Sequence, residues 1–424
     1  MKKILIVHPA LVMGGSEKVL LDYLKILGNA SQPASQPASQ PASQPASQPA
    51  SQPASQPEYD IELVFLEQRQ NWRIDEIPSN IKIHFMLNEV ESEFLVQTQT
   101  NKEPSLQECF DYSFQCVNKI LNLRLLELIN KINPDIIIDF GRHFSAFSNF
   151  MAAYNVHPKI KLLYWAHTSG IVNAWKNNPQ FFSVVLNKYT HFVAISDEMQ
   201  TLITKTLEKS LGIHNKSLLR LYNPFNIQEI QQNALLARAE DEALLNQPFI
   251  LQVARLENRS KNHLEMIEIY HKLKQKGIQE KLYFIGDGPD EALLRDKIHS
   301  LNLQNDCLIL GRRDNPYPFM KAAKLFIHTA NFEGLPTVLI ESMTCGTPVV
   351  AMDCPTGPKE ILDNGKYGVL VPLHDQATFV EKTYELLNDE KQYQHYTALL
   401  PEAVERFSSE NIGRQFLELL ASLD

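Results

Sequence analysis

Short runs of apolar residues alternate with amphipathic stretches along most of this chain. The runs KILIVHP, IELVFLE, IKIHFM, DIIIDFG, KLLYWAH and HFVAIS predict strands in the first half. A second series follows in the second half: FILQVAR, KLYFIG, CLILG, LFIHTA, PVVAM and GVLVP. Short β-rich runs separated by helical stretches are typical of parallel sheets covered by helices. The pattern therefore predicts an α/β protein with doubly wound parallel sheets.

The same periodicity predicts the helices between these strands. Because 424 residues exceed what one ordinary core accommodates, two domains are expected. A stretch from about 198 to 221 is predicted to be helical and carries four basic residues against few acids, so contact with anionic lipid is one interpretation and a solvated face the other. The basic residues are Lys205, Lys209, Lys216 and Arg220. The other predicted helices span 16–27, 262–276, 290–300, 318–323, 337–344 and 412–423, and 226–246 is polar and helical.

Residues 30–57 interrupt the pattern with seven copies of Ala-Ser-Gln-Pro. Proline at every fourth position excludes an α-helix, and nothing in the repeat can bury apolar surface. A disordered or loosely extended insert is therefore expected. Since it falls between a predicted helix and a predicted strand, it should lie at the sheet edge opposite the ligand crevice, which forms at the carboxyl ends of the strands.

The four-residue period suggests an origin in the DNA. The codons GCC-AGC-CAG-CCA encode Ala-Ser-Gln-Pro and are also GCCA repeated three times, so the 28 residues correspond to 21 tetranucleotide units. Gain or loss of one unit would shift the reading frame, as in phase-variable surface-glycan genes. We therefore hypothesise a phase-variation tract; a flexible linker or a protein-binding Pro-rich segment is the alternative.

Composition and charge narrow the function classes. The net charge of −9 argues against a nucleic-acid binder, and it resides in the part after residue 225, since residues 1–225 carry 20 basic and 20 acidic side chains. The five cysteines form no C-x-x-C pair, which fits a reducing cytoplasm rather than a disulfide or zinc framework. MKKILIV is interpreted as a buried strand rather than a signal peptide. A cytoplasmic protein, with peripheral contact to the inner membrane as a further option, is expected.

Two glutamates stand eight positions apart in the segment FEGLPTVLIESMTCGTPVV. Glu333 lies in a Gly/Pro turn, and Glu341 lies one turn inside an apolar helix predicted to begin near Pro336 or Thr337, because proline suits the first helical turn. Free N–H groups at a helix start suit a phosphate, and a carboxylate one turn further can accept hydrogen bonds from a diol. A nucleotide-sugar site needs these groups, although a solvated loop glutamate and a capping glutamate explain the spacing equally well.

The residues around this pair resemble the E-x7-E motif of family 4 glycosyltransferases, which are retaining enzymes of the two-domain GT-B fold. Five further segments resemble the family in the same order along the chain. They are GGSE near the start, VARLENRSKNH with the donor-phosphate Arg and Lys, FIGDGP, and NPYPFMKAAKLF followed by TGPKEIL. The resemblance covers nearly the whole chain apart from the insert.

This resemblance implies a domain organisation and a site. Residues 1–225 would form a Rossmann-like acceptor domain ending near an Asn-Pro pair, 226–405 a Rossmann-like donor domain, and 406–424 a helix crossing back to the first domain. By the same resemblance, the catalytic residues would be Glu333, His167, Arg255 and Lys261. The donor-binding residues would be Gly14, Gly15, Arg255, Lys261, Glu333, Gly334, Leu335, Thr337, Val338 and Glu341.

The implied chemistry needs stabilisation of the negative charge that develops on the leaving diphosphate. The chain contains no Asp-x-Asp pair, so no metal or cofactor is expected, and Arg255 and Lys261 are the cationic alternative. Taken alone, the two cations could equally be solvated loop residues, and His167 a structural hydrogen-bonding group. The expected partners are a UDP-sugar, which is a substrate, and an oligosaccharide or lipid-linked glycan acceptor such as lipooligosaccharide.

Other functions on this fold remain open at this stage. A UDP-sugar epimerase is disfavoured by the E-x7-E segment, and a phosphorylase by the lack of a pyridoxal-binding lysine motif. The alternative from another class is a catalytically silent scaffold or carbohydrate-binding homologue. The intact set of Arg255, Lys261, Glu333 and Glu341 favours the enzyme.

Overall fold

A computed structural model describes residues 1–12, 15–31, 59–69, 73–100, 107–141 and 146–423. Within these ranges the strands form two all-parallel sheets, as predicted. The first sheet has the order β3-β2-β1-β4-β5-β6-β7 and the second β10-β9-β8-β11-β12-β13. The strands are β1 (Lys2–His8), β2 (Tyr59–Glu67), β3 (Lys82–Leu87), β4 (Ile136–Asp139), β5 (Lys161–Ala166), β6 (His191–Ala194), β7 (Ser217–Arg220), β8 (Phe249–Val253), β9 (Lys281–Ile285), β10 (Cys307–Ile309), β11 (Leu325–His328), β12 (Val349–Asp353) and β13 (Val369–Pro372).

Helices connect and cover these strands, because each parallel pair needs a crossover. In chain order they are α1 (Gly15–Ala30), α2 (Glu89–Thr100), α3 (Gln107–Ile132), α4 (Ala146–Ala153), α5 (Ile171–Asn177), α6 (Pro179–Leu186), α7 (Asp197–Leu211), α8 (Ile227–Asn233), α9 (Glu242–Leu245), α10 (Asn258–Lys261), α11 (His263–Gln275), α12 (Glu291–Ser300), α13 (Tyr317–Ala322), α14 (Thr337–Thr344), α15 (Pro358–Ile361), α16 (Gln376–Asn388), α17 (Glu390–Glu405) and α18 (Ser409–Ser422). The helix predicted to start near Thr337 does so.

Central strands are buried on both faces and end in polar residues. Strands β4 and β11 are buried along their whole length, as expected for parallel strands between two helical layers. His8, Asp139 and His328 end their strands and are at most 2% exposed. Polar side chains are therefore concentrated at the carboxyl edge of each sheet, where a parallel α/β fold places its ligands.

The helix predicted for 198–221 is wrong in its second half. Helix α7 ends at Leu211, because Gly212 adopts a left-handed conformation (φ 65°) that caps it, and β7 follows. Lys216 and Arg220 therefore do not share a helical face with Lys205 and Lys209. The basic face that suggested a lipid contact is correspondingly shorter, and no helix of the described residues is long and apolar enough to cross a bilayer.

Two adjacent segments cross between the domains. The backbone N–H of Phe225 donates to Phe407 O at 2.9 Å, and that of Ser409 donates to Phe225 O at 2.9 Å. After the second crossing, α18 packs on the first domain, where Phe416 contacts Tyr23 with ring centroids 4.8 Å apart. The domain limits 1–225, 226–405 and 406–424 remain predictions. The strands of the first sheet all precede residue 225, and those of the second sheet all follow it.

The repeat insert lies outside the described residues, apart from its first two. Its attachment points are described: α1 ends at Ala30, and β2 begins at Tyr59. Tyr59 is the first residue of β2, so it lies at the amino ends of the parallel strands. The attachment points therefore lie at the sheet edge opposite the carboxyl ends, in agreement with the sequence pattern.

Candidate functional site

A cleft of about 630 Å³ lies between the carboxyl edges of the two sheets. From the first domain it is lined by the start of α1 and by the residues that follow β5 and β6. From the second domain it is lined by the end of β8, by α10 and β11, and by the loop leading into α14. Nine of the predicted residues line this cleft: Gly15, His167, Arg255, Lys261, Glu333, Gly334, Leu335, Thr337 and Val338. Gly14 lies outside the described residues.

Lys261 and Glu333 form an ion pair in the cleft. Lys261 Nζ lies 2.6 Å from Glu333 Oε1, and their side chains are 24% and 10% exposed. The loop after α10 is fixed against the loop after β11, because the N–H of Asn331 donates to Ser260 O at 2.8 Å and the side-chain amide of Asn262 donates to Asn331 Oδ1 at 3.1 Å. Backbone contacts thus bring together two residues that stand 72 positions apart.

Glu333 has a second partner that the sequence analysis missed. His328 ends β11, is fully buried, and places Nε2 3.1 Å from Glu333 Oε1. Burial raises the pKa of Glu333, but His328 and the Lys261 ammonium more than offset this effect, so the pKa of the carboxyl lies below its usual value. Glu333 is therefore an ionised acceptor at the cleft. In the structure His328 is the last residue of β11, whereas the predicted run LFIHTA continued to Ala330, so the sequence pattern did not single out this histidine as a strand-end residue.

Arg255 lines the cleft from the end of β8, and it is held there by a glycine turn. Ala254 N–H donates to Ile285 O at 3.0 Å, and Leu256 N–H donates to Asp287 O at 2.8 Å. A Cβ atom on Gly286 would lie 1.9 Å from Ala254 O, so only glycine allows this approach. The FIGDGP motif thus has a steric role: it packs directly under the segment that carries Arg255.

Helix α14 begins with its N-terminus at the cleft. Pro336 is its N-cap and provides no side-chain hydrogen bond to the first turn. The first amides of a helix have no intrahelical acceptor and carry part of the positive end of the dipole. The lining residues Thr337 and Val338 belong to this turn. An anionic group in the cleft would therefore face a helix N-terminus, with Arg255 and Lys261 as the cationic side chains.

Glu341 stands apart from the other predicted residues. It is only 8% exposed and does not line the cleft as the structure has it. Its Oε1 atom accepts a hydrogen bond of 3.0 Å from Nζ of Lys18, on α1 of the first domain. The sequence pattern predicts the helix and the position of Glu341 on it but not this contact, because the two residues lie 323 positions apart.

Two further contacts join the domains, and the first of them involves the cleft residue Glu333. The Ser169 hydroxyl donates to the Glu333 carbonyl at 3.1 Å, and Glu360 accepts from the N–H of Asp197 with both carboxylate oxygens at 2.9 Å. Burial raises the pKa of Glu360 above its usual value, although the Asp197 N–H lowers it. Ser196 is the N-cap of α7 and accepts from Met199 N–H, which is a structural role.

His167 follows β5, beside the loop that carries Ser169. Its ring lies 4.3 Å from the ring of Phe140, measured between centroids, at an angle of 59°. Its carbonyl oxygen lies 3.1 Å from where a Cβ of Gly334 would stand. The backbone of His167 in the first domain therefore lies close to the E-x7-E loop of the second, and its ring packs on Phe140. Across the described residues, no cluster of three His, Cys, Asp or Glu side chains is arranged to hold a metal ion.

Two solved structures have the same fold as this chain. The Anabaena protein HepE, solved with UDP and glucose, superposes with a TM-score of 0.71 over 100% of both chains at 17% identity. Staphylococcus aureus TarM, solved as a variant with UDP, fondaparinux and alpha-GlcNAc-glycerol, gives 0.68 over 100% of both chains at 15% identity. The fold is therefore GT-B, as the resemblance implied.

Residues 237–398 match the family model described as "Glycosyl transferases group 1", so the second domain carries the sequence pattern of that family. The chain is also 29% identical over 351 residues to a Campylobacter jejuni protein, covering 80% of this chain and 89% of that protein. That relative is the N-acetylgalactosamine-N,N'-diacetylbacillosaminyl-diphospho-undecaprenol 4-alpha-N-acetylgalactosaminyltransferase.

Proposed function

We propose that this chain is a retaining, metal-independent glycosyltransferase that moves a hexose or N-acetylhexosamine from a UDP-sugar to a surface glycan. One observation carries the proposal. Nine residues assigned by resemblance, from distant parts of the sequence, line one interdomain cleft. Arg255, Lys261 and the N-terminus of α14 supply positive charge there, and Glu333 supplies an ionised acceptor for sugar hydroxyls.

In this proposal, the bond between the anomeric carbon and the donor phosphate oxygen breaks, and UDP leaves. The acceptor hydroxyl oxygen forms the new bond on the same face of the sugar, and its proton passes to the departing phosphate oxygen. Arg255, Lys261 and the first amides of α14 stabilise the charge that develops on that phosphate, which is the largest contribution a preorganised site makes. Glu333 and His167 hold the transferred sugar, and Glu341 accepts hydrogen bonds from the ribose.

The acceptor is proposed from the relatives. The Campylobacter protein is named for a diphospho-undecaprenol-linked acceptor, and the repeat tract is typical of surface-glycan genes. A lipid-linked oligosaccharide or lipooligosaccharide on the cytoplasmic membrane face is therefore the acceptor class that we propose.

The repeat tract of residues 30–57 would act in the gene, by slippage of its tetranucleotide units. The coding sequence tests this part: mixed synonymous codons along residues 30–57 would rule out slippage.

Thermal melting of the purified chain tests the donor assignment. UDP, GDP and a set of UDP- and GDP-sugars would be added one at a time with EDTA present. A ligand at about 100 times its dissociation constant stabilises the folded state by roughly 2.7 kcal/mol. A shift of several degrees with UDP and one UDP-sugar is expected, followed by transfer from that sugar to a lipid-linked acceptor. Melting that no nucleotide shifts would favour the silent scaffold instead.

A further inference from the structure

Lys18, on α1 of the first domain, contacts Glu341 of the second domain. Its Nζ donates to Glu341 Oε1 at 3.0 Å and to the Tyr317 hydroxyl at 2.8 Å, and both acceptors belong to the second domain. The Glu341 side chain is 10% exposed and that of Lys18 is 36% exposed. The carboxylate assigned to the ribose is thus held by a cation of the opposite domain.

The Lys18 side chain is positively charged at neutral pH, because its pKa is raised. Burial lowers the pKa of Lys18, but Glu341 and Tyr317 outweigh it, so the pKa lies above its usual value. Without the ammonium, the carboxylate would be nearly buried with no compensating charge, which is costly. Lys18 therefore supplies the compensating charge beside the Glu341 carboxyl group and limits the rotamers that this side chain can adopt.

The contact leaves some acceptor positions of the Glu341 carboxylate unused. A carboxylate offers about four acceptor positions on its two oxygens. Lys18 uses one position on Oε1, so Oε2 and the remaining positions can accept from the two hydroxyls of a vicinal diol. The Tyr317 hydroxyl holds the ammonium from the other side. A diol can therefore bind Glu341 while the Lys18 contact persists.

We propose that Lys18 is a positioning residue of the donor site, which orients Glu341 for the ribose diol of a nucleoside diphosphate and makes donor binding depend on the first domain. The inference rests on the proposed function. It predicts that a substitution in the first domain weakens UDP binding only when the ribose hydroxyls are present.

The test is calorimetric titration of four folded proteins: wild type, Lys18→Met, Lys18→Arg and Lys25→Met. Lys25 is the matched control, because it lies on the same helix but pairs with Glu76 of the first domain at 2.8 Å. Each protein is titrated with UDP and with 2′,3′-dideoxy-UDP. Lys18→Gln replaces Lys18→Met if the latter melts below the assay temperature.

We expect Lys18→Met to weaken UDP binding roughly tenfold or more, as for loss of a charged hydrogen-bonding partner. Lys18→Arg should retain most of the affinity, and Lys25→Met should match the wild type. With 2′,3′-dideoxy-UDP, Lys18→Met and wild type should bind equally.

Three results would overturn the inference. The first is UDP binding by Lys18→Met that equals wild-type binding. The second is tighter UDP binding by this variant, which would mean that Lys18 competes with the ribose. The third is an equal loss of affinity for UDP and for the dideoxy ligand, which would mean that Lys18 only supports the packing of the domains. If the folded wild type binds no UDP, the proposed function itself fails. That outcome is distinct, because it appears in the wild type before any variant is compared.

Discussion

The hydroxyl of Ser169 donates a hydrogen bond of 3.1 Å to the backbone carbonyl of Glu333, across the cleft between the domains. This contact ties the loop after β5 to the residue whose side chain pairs with Lys261. The position of the Glu333 backbone therefore depends on how the two domains lie against one another. Substitutions on the first-domain side of the cleft should consequently affect a site that lies mostly in the second domain.

Gly334 provides a test of this contact between the two domains. A Cβ atom there would lie 3.1 Å from His167 O, tighter than an ordinary van der Waals contact, so Gly334→Ala should push the two loops apart. We expect lower transfer activity with little change in melting temperature. Gly170→Ala is the control, since the nearest atom to its Cβ is Thr168 Oγ1 at 3.6 Å. Equal activity of the two variants would show that this contact is not needed.

Lys261→Ala should lower transfer by roughly 10²–10³-fold, as removal of one preorganised charge-stabilising group does. The control is Lys274→Ala, because both lysine side chains are 24% exposed and both pair with a carboxylate, yet Lys274 contacts Asp306 and not the cleft. Initial rates at saturating donor, with circular dichroism to confirm folding, make the comparison. A Lys261 variant as active as the Lys274 variant would remove the assignment.

The loss of transfer activity in the double variant Glu333→Gln/Lys261→Ala should be smaller than the sum of the two single losses, expressed as free energies. The two side chains share one contact, and residues in contact couple by about 0.5–3 kcal/mol. The double-mutant cycle is measured as kcat/KM for donor turnover. Strict additivity would mean that the ion pair has no role in transfer.

Chelation of metal should leave UDP affinity unchanged. In the proposed mechanism, Arg255, Lys261 and the start of α14 supply the positive charge that a diphosphate needs. We expect the same dissociation constant in EDTA as in Mg²⁺, measured by titration calorimetry. Loss of binding in EDTA, with recovery on adding Mg²⁺, would contradict the metal-independent mechanism.

Asp22, on α1 near Lys18, should make stability depend on pH. Burial raises its pKa to about 7 from a usual value near 3.8; Lys18 and Lys25 oppose the shift, and Glu229 adds to it. Between these pH values the folded state binds a proton that the unfolded state has lost. The contribution to stability is therefore complete below about pH 4 and lost as pH rises through about 7.

Asp22→Asn should accordingly stabilise the protein at pH 8 by on the order of 2 kcal/mol and change it little at pH 4. Melting temperatures of both proteins across this range make the comparison. A difference that stays constant with pH would show that Asp22 is not protonated in the folded state at neutral pH.

The sequence was sufficient for those features that depend on local patterning. The burial of β4 and β11 on both faces produces continuous apolar runs, so these strands were predicted, and the proline before Thr337 marks the start of α14. Strand β7 was missed because SLLR continues the amphipathic pattern of α7, and the αL conformation of Gly212 ends the helix.

Contacts between distant residues were not accessible in this way. His328, Ser169 and Lys18 contribute to the site through partners that lie far away in the chain or on another element. No periodicity or spacing relates Lys18 to Glu341, since the contact exists only once two separately formed domains meet. The family resemblance predicted the donor-binding residues, and only the tertiary structure shows the contacts that hold these side chains in position.

Helix α18 completes the first domain with residues from the far end of the chain. The Lys2 ammonium donates to Leu420 O at 3.1 Å, and the Phe416 ring lies 5.6 Å from that of Trp165. During synthesis the first domain is made long before this helix. The apolar surface around Tyr23 and Trp165 thus stays uncovered until residue 420 has left the ribosome, and a truncated product would present that surface to chaperones and proteases.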